Sequence, residues 1–130
     1  MEILERGSIN MEKRFEGIWN ASAEKRYKHF KSYVADQGSV WVLSNQDGFT
    51  TIDLEGYINL LVWPSKEFAV AFDAEETPVE IEVHDFCQRC EAMIEQSEIR
   101  FMVFPNDKDT YIVETEELLN DILDELDLIE

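Results

Sequence analysis

Two cysteines stand close together in Cys87-Gln88-Arg89-Cys90, and His84 precedes the first by three residues. A C-x-x-C that follows a strand and opens a helix sits where the helix N-terminus lowers a thiol pKa and favours the thiolate nucleophile. Val79 to Val83 alternates with period two and reads as that strand. A helix follows over residues 85–96, capped by His84 or Asp85. Thiol redox catalysis by Cys87 and Cys90 is therefore one chemistry that the spacing allows. The same residues also fit a core. Phe86, Cys87, Cys90, Met93 and Ile94 fall on one stripe of an amphipathic helix, and a buried free cysteine behaves as a small apolar side chain. Thioredoxin-like placement calls for an early βαβ unit, and none precedes this motif, so the core reading is preferred. A zinc site at His84, Cys87 and Cys90 would need a fourth ligand. No second Cys/His pair is present, and His29 is the only other histidine. No metal and no cofactor are expected.

Other candidate chemistry is thinner. Asp107-Lys108-Asp109 has the look of a calcium loop without its glycine and terminal glutamate, and reads as a hairpin turn. Glu75/Glu76 and Glu80/Glu82 are paired acids, but paired carboxylates are catalytic only when buried together. They read as a solvated loop and sheet face. The five glycines are isolated, so no phosphate-cradling loop exists, and no G-x-S-x-G occurs. Lys25, Arg26, Lys28 and Lys31, interleaved with Tyr27, Phe30 and Tyr33, form a short basic stripe.

That stripe sits in a chain of net charge -18. Residues 1–37 hold seven Lys/Arg and six Asp/Glu, a net of +1, and residues 38–130 hold four and 23, a net of -19. Such a field repels phosphate backbones, so no nucleic-acid partner is expected. It attracts a basic protein partner. The carboxylates expected to meet one are Glu75, Glu76, Glu80 and Glu82, together with Asp124, Glu125 and Asp127 near the end of a terminal helix. No Lys or Arg occurs from 114 to 130 to relieve the negative pole of that helix. A DNA mimic, with carboxylates standing in for phosphates, is a further alternative.

The elements that must position these groups follow from periodicity. Residues 1–9 show no clear period and read as a loose leader, and 10–130 reads as one α+β domain. Met1 to Gly7 carries acids and no apolar run, so no signal peptide is read there. The longest apolar run, Phe68 to Phe72, is five residues, far below the about 20 of a membrane span. With only two cysteines, a cytoplasmic location is expected. Homo-oligomerisation is compatible with the sequence.

Met11, Phe15, Ile18 and Trp19 follow helical spacing from Asn10. Ser22 caps a second helix over about 23–36, with Ala23, Tyr27, Phe30 and Val34 inward and Gly38 ending it. Val40–Leu43, Phe49–Leu54 and Tyr57–Trp63 read as an antiparallel meander. Pro64 stops the third strand, and Ser65 caps a helix over 65–73. Ile99–Phe104 and Tyr111–Val113 flank the Pro105–Asp109 turn. Thr115 caps a last helix over 115–129. The expected architecture is a mainly antiparallel sheet of five or six strands with four to five helices packed on it.

Several of these residues carry a resemblance. Arg14-Phe15-Glu16 with Trp19, Ala23 through Phe30, Val34-Ala35-Asp36, Val62-Trp63-Pro64-Ser65-Lys66-Glu67-Phe68-Ala69, Phe86 and Val103-Phe104-Pro105 resemble a small bacterial family. It is catalogued as domain of unknown function 2750, and the resemblance covers roughly residues 10–128. It implies a small α+β cytoplasmic domain with no assigned reaction. It also implies large apolar residues at positions 87 and 90, which makes the C-x-x-C local to this chain. More loosely, the element order is similar to small immunity proteins of bacterial toxin systems, an analogy that does not carry function. The leading expectation is a non-catalytic, immunity- or antitoxin-like protein-binding module.

Overall fold

Ser22 marks the first decisive break in the chain. Its hydroxyl accepts the amide of Lys25 at 3.2 Å, which satisfies one orphan donor of the helix that begins at Ala23. A computed structural model describes residues 13–129. The predicted leader at 1–9, and the expected helix start at Asn10 and Met11, lie outside the described residues. Helix α1 covers residues 13–19, and α2 is Ala23–Gln37. Gly38 ends α2 at φ 81°, where a side chain would be strained, and its amide returns to Val34 O at 2.8 Å.

The strands are β1 (Ser39–Asn45), β2 (Gly48–Phe49), β3 (Thr51–Leu54), β4 (Tyr57–Val62), β5 (Thr77–Glu82), β6 (Ile99–Val103) and β7 (Tyr111–Glu114). The remaining helices are α3 (Lys66–Phe72), α4 (Val83–Met93) and α5 (Thr115–Ile129). The class is α+β, as expected. The single sheet of five or six strands is not found. Among the described residues there are two sheets, one ordered β2-β1-β5 and the other β3-β4-β6-β7.

The split falls at Thr50. The segment read as one strand from Phe49 to Leu54 breaks there. Phe49 pairs with Ser44 in the first sheet, and Thr51 pairs with Leu60 in the second. The Thr50 amide donates to Leu43 O at 2.8 Å, and its hydroxyl donates to Glu76. The sheets meet again at an antiparallel bridge. Trp41 N donates to Trp63 O at 2.9 Å, and Trp63 N to Trp41 O at 2.8 Å. Pairing is antiparallel except between β4 and β6, whose parallel register joins Leu60 to Phe101 and Val62 to Val103. A parallel neighbour needs a long crossover, and α3, β5 and α4 supply it.

Three predicted caps differ from those found. Glu82, not His84 or Asp85, caps α4: its carboxylate accepts the amides of His84 at 2.9 Å and Asp85 at 3.2 Å. Ser65 stands at the expected N-cap position of α3 but makes no side-chain capping bond to it. Thr115 is the first residue of α5, and its hydroxyl donates instead to Ile99 O at 3.1 Å, tethering α5 to β6.

The core is built from the inward stripes of these elements. Phe30, Val34, Leu61, Trp63, Phe101, Phe104, Leu118 and Ile122 have no exposed surface, and burying each such side chain stabilises the fold by roughly 1.5–3 kcal/mol. Phe15 stacks on Phe68 with centroids 4.6 Å apart, which packs α1 against α3.

Candidate functional site

The cysteine motif is placed by the Glu82 cap, which starts α4 immediately after β5. Cys87 and Cys90 lie one turn apart, and both are buried, Cys90 completely. They are free thiols. Burial pushes both thiols up, Cys87 with help from the Glu82 carboxylate and Cys90 to about 12 with help from Cys87. This is the opposite of what a thiolate nucleophile requires. His84 is exposed, and its Nδ1 lies 2.8 Å from Glu82 Oε2. The imidazole is thus at the surface while the thiols are in the core. Among the described residues no group of three or more His, Cys, Asp or Glu side chains is placed to hold a metal ion.

The acidic residues named from the sequence fall on two groups of elements. Glu75 is exposed, whereas its neighbours have internal tasks. Glu76 accepts from Thr50 Oγ1 at 2.8 Å and from Asn45 Nδ2 at 2.8 Å. Glu80 accepts from Ser39 Oγ at 2.7 Å, across the β1–β5 ladder. Glu82 caps α4, and the His84 and Asp85 amides hold its carboxylate below its ordinary pKa. These four belong to β5 and the loop before it, which pack against β1, α3 and α4. Asp124, Glu125 and Asp127 lie on α5, which packs against α2, α4, β6 and β7. Asp124 and Asp127 are exposed, and Glu125 is half-buried. Beside them Leu123, Leu128 and Ile129 are also exposed, Leu128 to 82%.

One residue of the basic stripe is not on the surface. Arg26 is buried, and all three nitrogens of its guanidinium donate hydrogen bonds. Nε donates to Phe104 O at 2.9 Å, Nη1 to Ala21 O at 2.6 Å, and Nη2 to both Asp109 O at 2.9 Å and Asp109 Oδ1 at 2.7 Å. The reading of Arg26 as one cation of a basic stripe with Lys25, Lys28 and Lys31 is corrected accordingly. The signal was present in the spacing: Arg26 stands one turn before Phe30, on the inward face.

The structure adds a site that the sequence reading did not find. A cavity of about 290 Å³ lies between α4 and the point where the 48–54 segment changes sheets. Ile81 and Phe86 form its floor, Leu60 and Met93 its walls, and Phe49, Ala92 and Arg89 its rim. Arg89 is the one charged side chain in the lining, and among the described residues no carboxylate comes within ion-pairing distance of it. The spacing 86, 89, 92, 93 marks one side of the helix and was readable. The partners Phe49, Leu60 and Ile81 come from three strands whose juxtaposition was not. Trp63 is completely buried, with Nε1 donating to Pro105 O at 2.9 Å.

These features define a class, a small α+β protein whose thiols serve the core and whose exposed chemistry consists of charge and apolar surface. Among the described residues no helix is long and apolar enough to cross a membrane. The family model described as "Protein of unknown function (DUF2750)" matches residues 27–122, well over half of the chain, and the protein belongs to that family. The matched span includes the Trp63-Pro64 element, Phe86 and Phe104-Pro105. No curated protein matches the chain.

Proposed function

We propose that the protein is a non-catalytic binding module that engages a basic protein partner through the second half of α5. The observation that carries this reading is the pairing of exposed apolar and acidic side chains there. Leu123, Leu128 and Ile129 are 42%, 82% and 56% exposed beside Asp124 and Asp127. No basic residue stands in the last turn of α5, so the carboxylates add to the negative pole of the helix instead of relieving it. A partner that brings cations and an apolar contact compensates both. Glu75 and the wider acidic field steer such a partner toward this face, which gives fast, salt-sensitive association. An immunity- or antitoxin-like role is one concrete form.

The buried thiols carry no comparable support for redox catalysis, because the pKa shifts run away from the thiolate. The test is affinity capture from an extract of the source cells, run in parallel with wild-type protein and the Asp124→Lys/Asp127→Lys variant. A basic protein retained by the wild type, lost by the variant, and binding more slowly as salt rises is the expected result. A partner held equally by the variant, or association indifferent to salt, overturns the proposal. So does self-association through Leu128 and Ile129, read by sedimentation.

A further inference from the structure

We propose that the cavity under Arg89 binds a small amphiphilic carboxylate, with its apolar tail on Phe86 and its carboxylate on the guanidinium. The site is separate from the α5 surface, and its argument rests on different residues.

The floor decides the tail. Ile81 and Phe86 are buried, Leu60 and Met93 are partly buried, and no lining residue apart from Arg89 carries a charged or polar side chain. A sugar, nucleotide or peptide backbone would lose its water there and find no hydrogen-bond partners in return. An alkyl or aryl group loses nothing of that kind and gains from leaving water. The volume, about 290 Å³, lies at the bottom of the roughly 300–1,000 Å³ range of small-molecule sites. A medium-length chain or a single ring suits it, and a sterol-sized body does not.

Arg89 decides the head. It is one of four cations among residues 38–130, in a region of net charge -19, yet it stands at the rim without a described ion-pair partner. Asp85 lies one turn earlier on the same helix, a spacing that commonly pairs Asp with Arg. Here Asp85 sits in the first turn of α4, where the helix dipole favours it, and the two do not pair within 4 Å. A guanidinium with no carboxylate partner among the described residues, adjoining an apolar cavity, matches a carboxylate in its bidentate geometry. The surrounding acidic field disfavours heads of higher negative charge, and Arg89 itself repels cationic ones.

The experiment is calorimetric titration of the full chain with sodium octanoate. The neutral and cationic probes of equal chain length are 1-octanol and octyltrimethylammonium. Octanoate should bind saturably, one per chain, below its micellisation threshold. Arg89→Ala should weaken it about tenfold or more, the loss expected for a charge-assisted contact, and should leave the weaker binding of octanol unchanged. Ala92→Trp should fill the mouth and abolish binding of both. Arg89 and Ala92 are exposed, so both variants keep the core, and a cooperative thermal transition verifies that. No saturable octanoate binding, equal binding of the ammonium probe, or octanoate binding untouched by Arg89→Ala would each overturn the proposal. The Asp124→Lys/Asp127→Lys variant should bind octanoate like the wild type, so this proposal and the partner surface on α5 stand or fall separately.

Discussion

Arg26 Nε donates to the carbonyl of Phe104 at 2.9 Å, across 78 residues of chain. Phe104 needs that bond held, because it sits at φ 54°, in the left-handed region that a bulky residue rarely enters. Its amide donates to Val62 O at 2.7 Å, its ring is fully buried, and the guanidinium carbon of Arg26 lies 5.8 Å from the ring centroid. Asn106 completes the arrangement: Oδ1 accepts the amides of Lys108 and Asp109, and Nδ2 donates to Trp19 O at 2.8 Å. The 104–109 turn is thereby clamped to the α1–α2 junction and to Trp63.

Removing the clamp should cost more than any surface change. Arg26→Ala leaves three carbonyls and the Asp109 carboxylate without this donor, and a loss of about 3 kcal/mol is expected in urea denaturation. Arg26→Lys should recover only part, since an ammonium cannot reproduce the planar fork. A loss below about 1 kcal/mol for Arg26→Ala would show that water replaces the guanidinium.

The two thiols should behave as core atoms. A disulfide reagent near neutral pH should label Cys87 and Cys90 rapidly in the urea-unfolded protein and only slowly in the folded one, because both are buried and pushed up in pKa. Cys90→Ser should destabilise by about 1–3 kcal/mol through its buried hydroxyl, and more than Cys90→Ala. Fast labelling of the native protein would reopen the redox reading.

His29 gives a pH signature. Burial beside Tyr33, Phe68 and Phe104 holds its pKa below the ordinary 6.5. The unfolded chain then takes up a proton at higher pH than the folded one does. Stability from this group is complete above the unfolded value, falls as pH drops below 6.5, and levels off beneath the folded pKa. Asp36 and Glu125 line the same surface depression. His29→Gln should therefore lose less stability than the wild type between about pH 8 and about pH 5.5, read as urea midpoints. Parallel curves would remove the assignment.

Asp127 separates stability from binding. Asp127→Lys places a cation at the negative pole of α5 and should raise stability by ~0.3–0.5 kcal/mol, while weakening capture of a basic partner. A variant that is both less stable and equally able to bind would contradict both halves of the argument.

Much of this structure was legible in the chain itself. Ser22 and Gly38 bounded α2 correctly, because their signals are local: a hydroxyl that reaches a first-turn amide, and a residue that accepts positive φ. Period places Leu118, Leu119, Ile122, Leu123, Leu126 and Ile129 on one inward stripe of α5; Leu118, Leu119, Ile122 and Leu126 are buried there, whereas Leu123 and Ile129 are exposed. The core placement of Cys87 and Cys90 was readable from their helical neighbours. Thr115 and Ser65 show the limit of the same logic. Each has the chemistry of a cap, but the Thr115 hydroxyl is taken by Ile99 O, an acceptor brought near only by folding.

What the sequence determined is the α+β class, the element order, the acidic field and the family, all of which rest on composition, period and short motifs. What only tertiary structure decided is which long-range partner each polar group found. Thr50, bonded to Leu43 O and Glu76, stands where one expected strand divides between two sheets. Arg26 left a basic stripe for a buried clamp on Phe104 and Asp109. Arg89, a spacer residue inside C-x-x-C, came to stand over a cavity whose other walls lie as far away in sequence as Phe49. Period reports which face of an element turns inward, whereas the identity of what it meets there depends on contacts between distant segments.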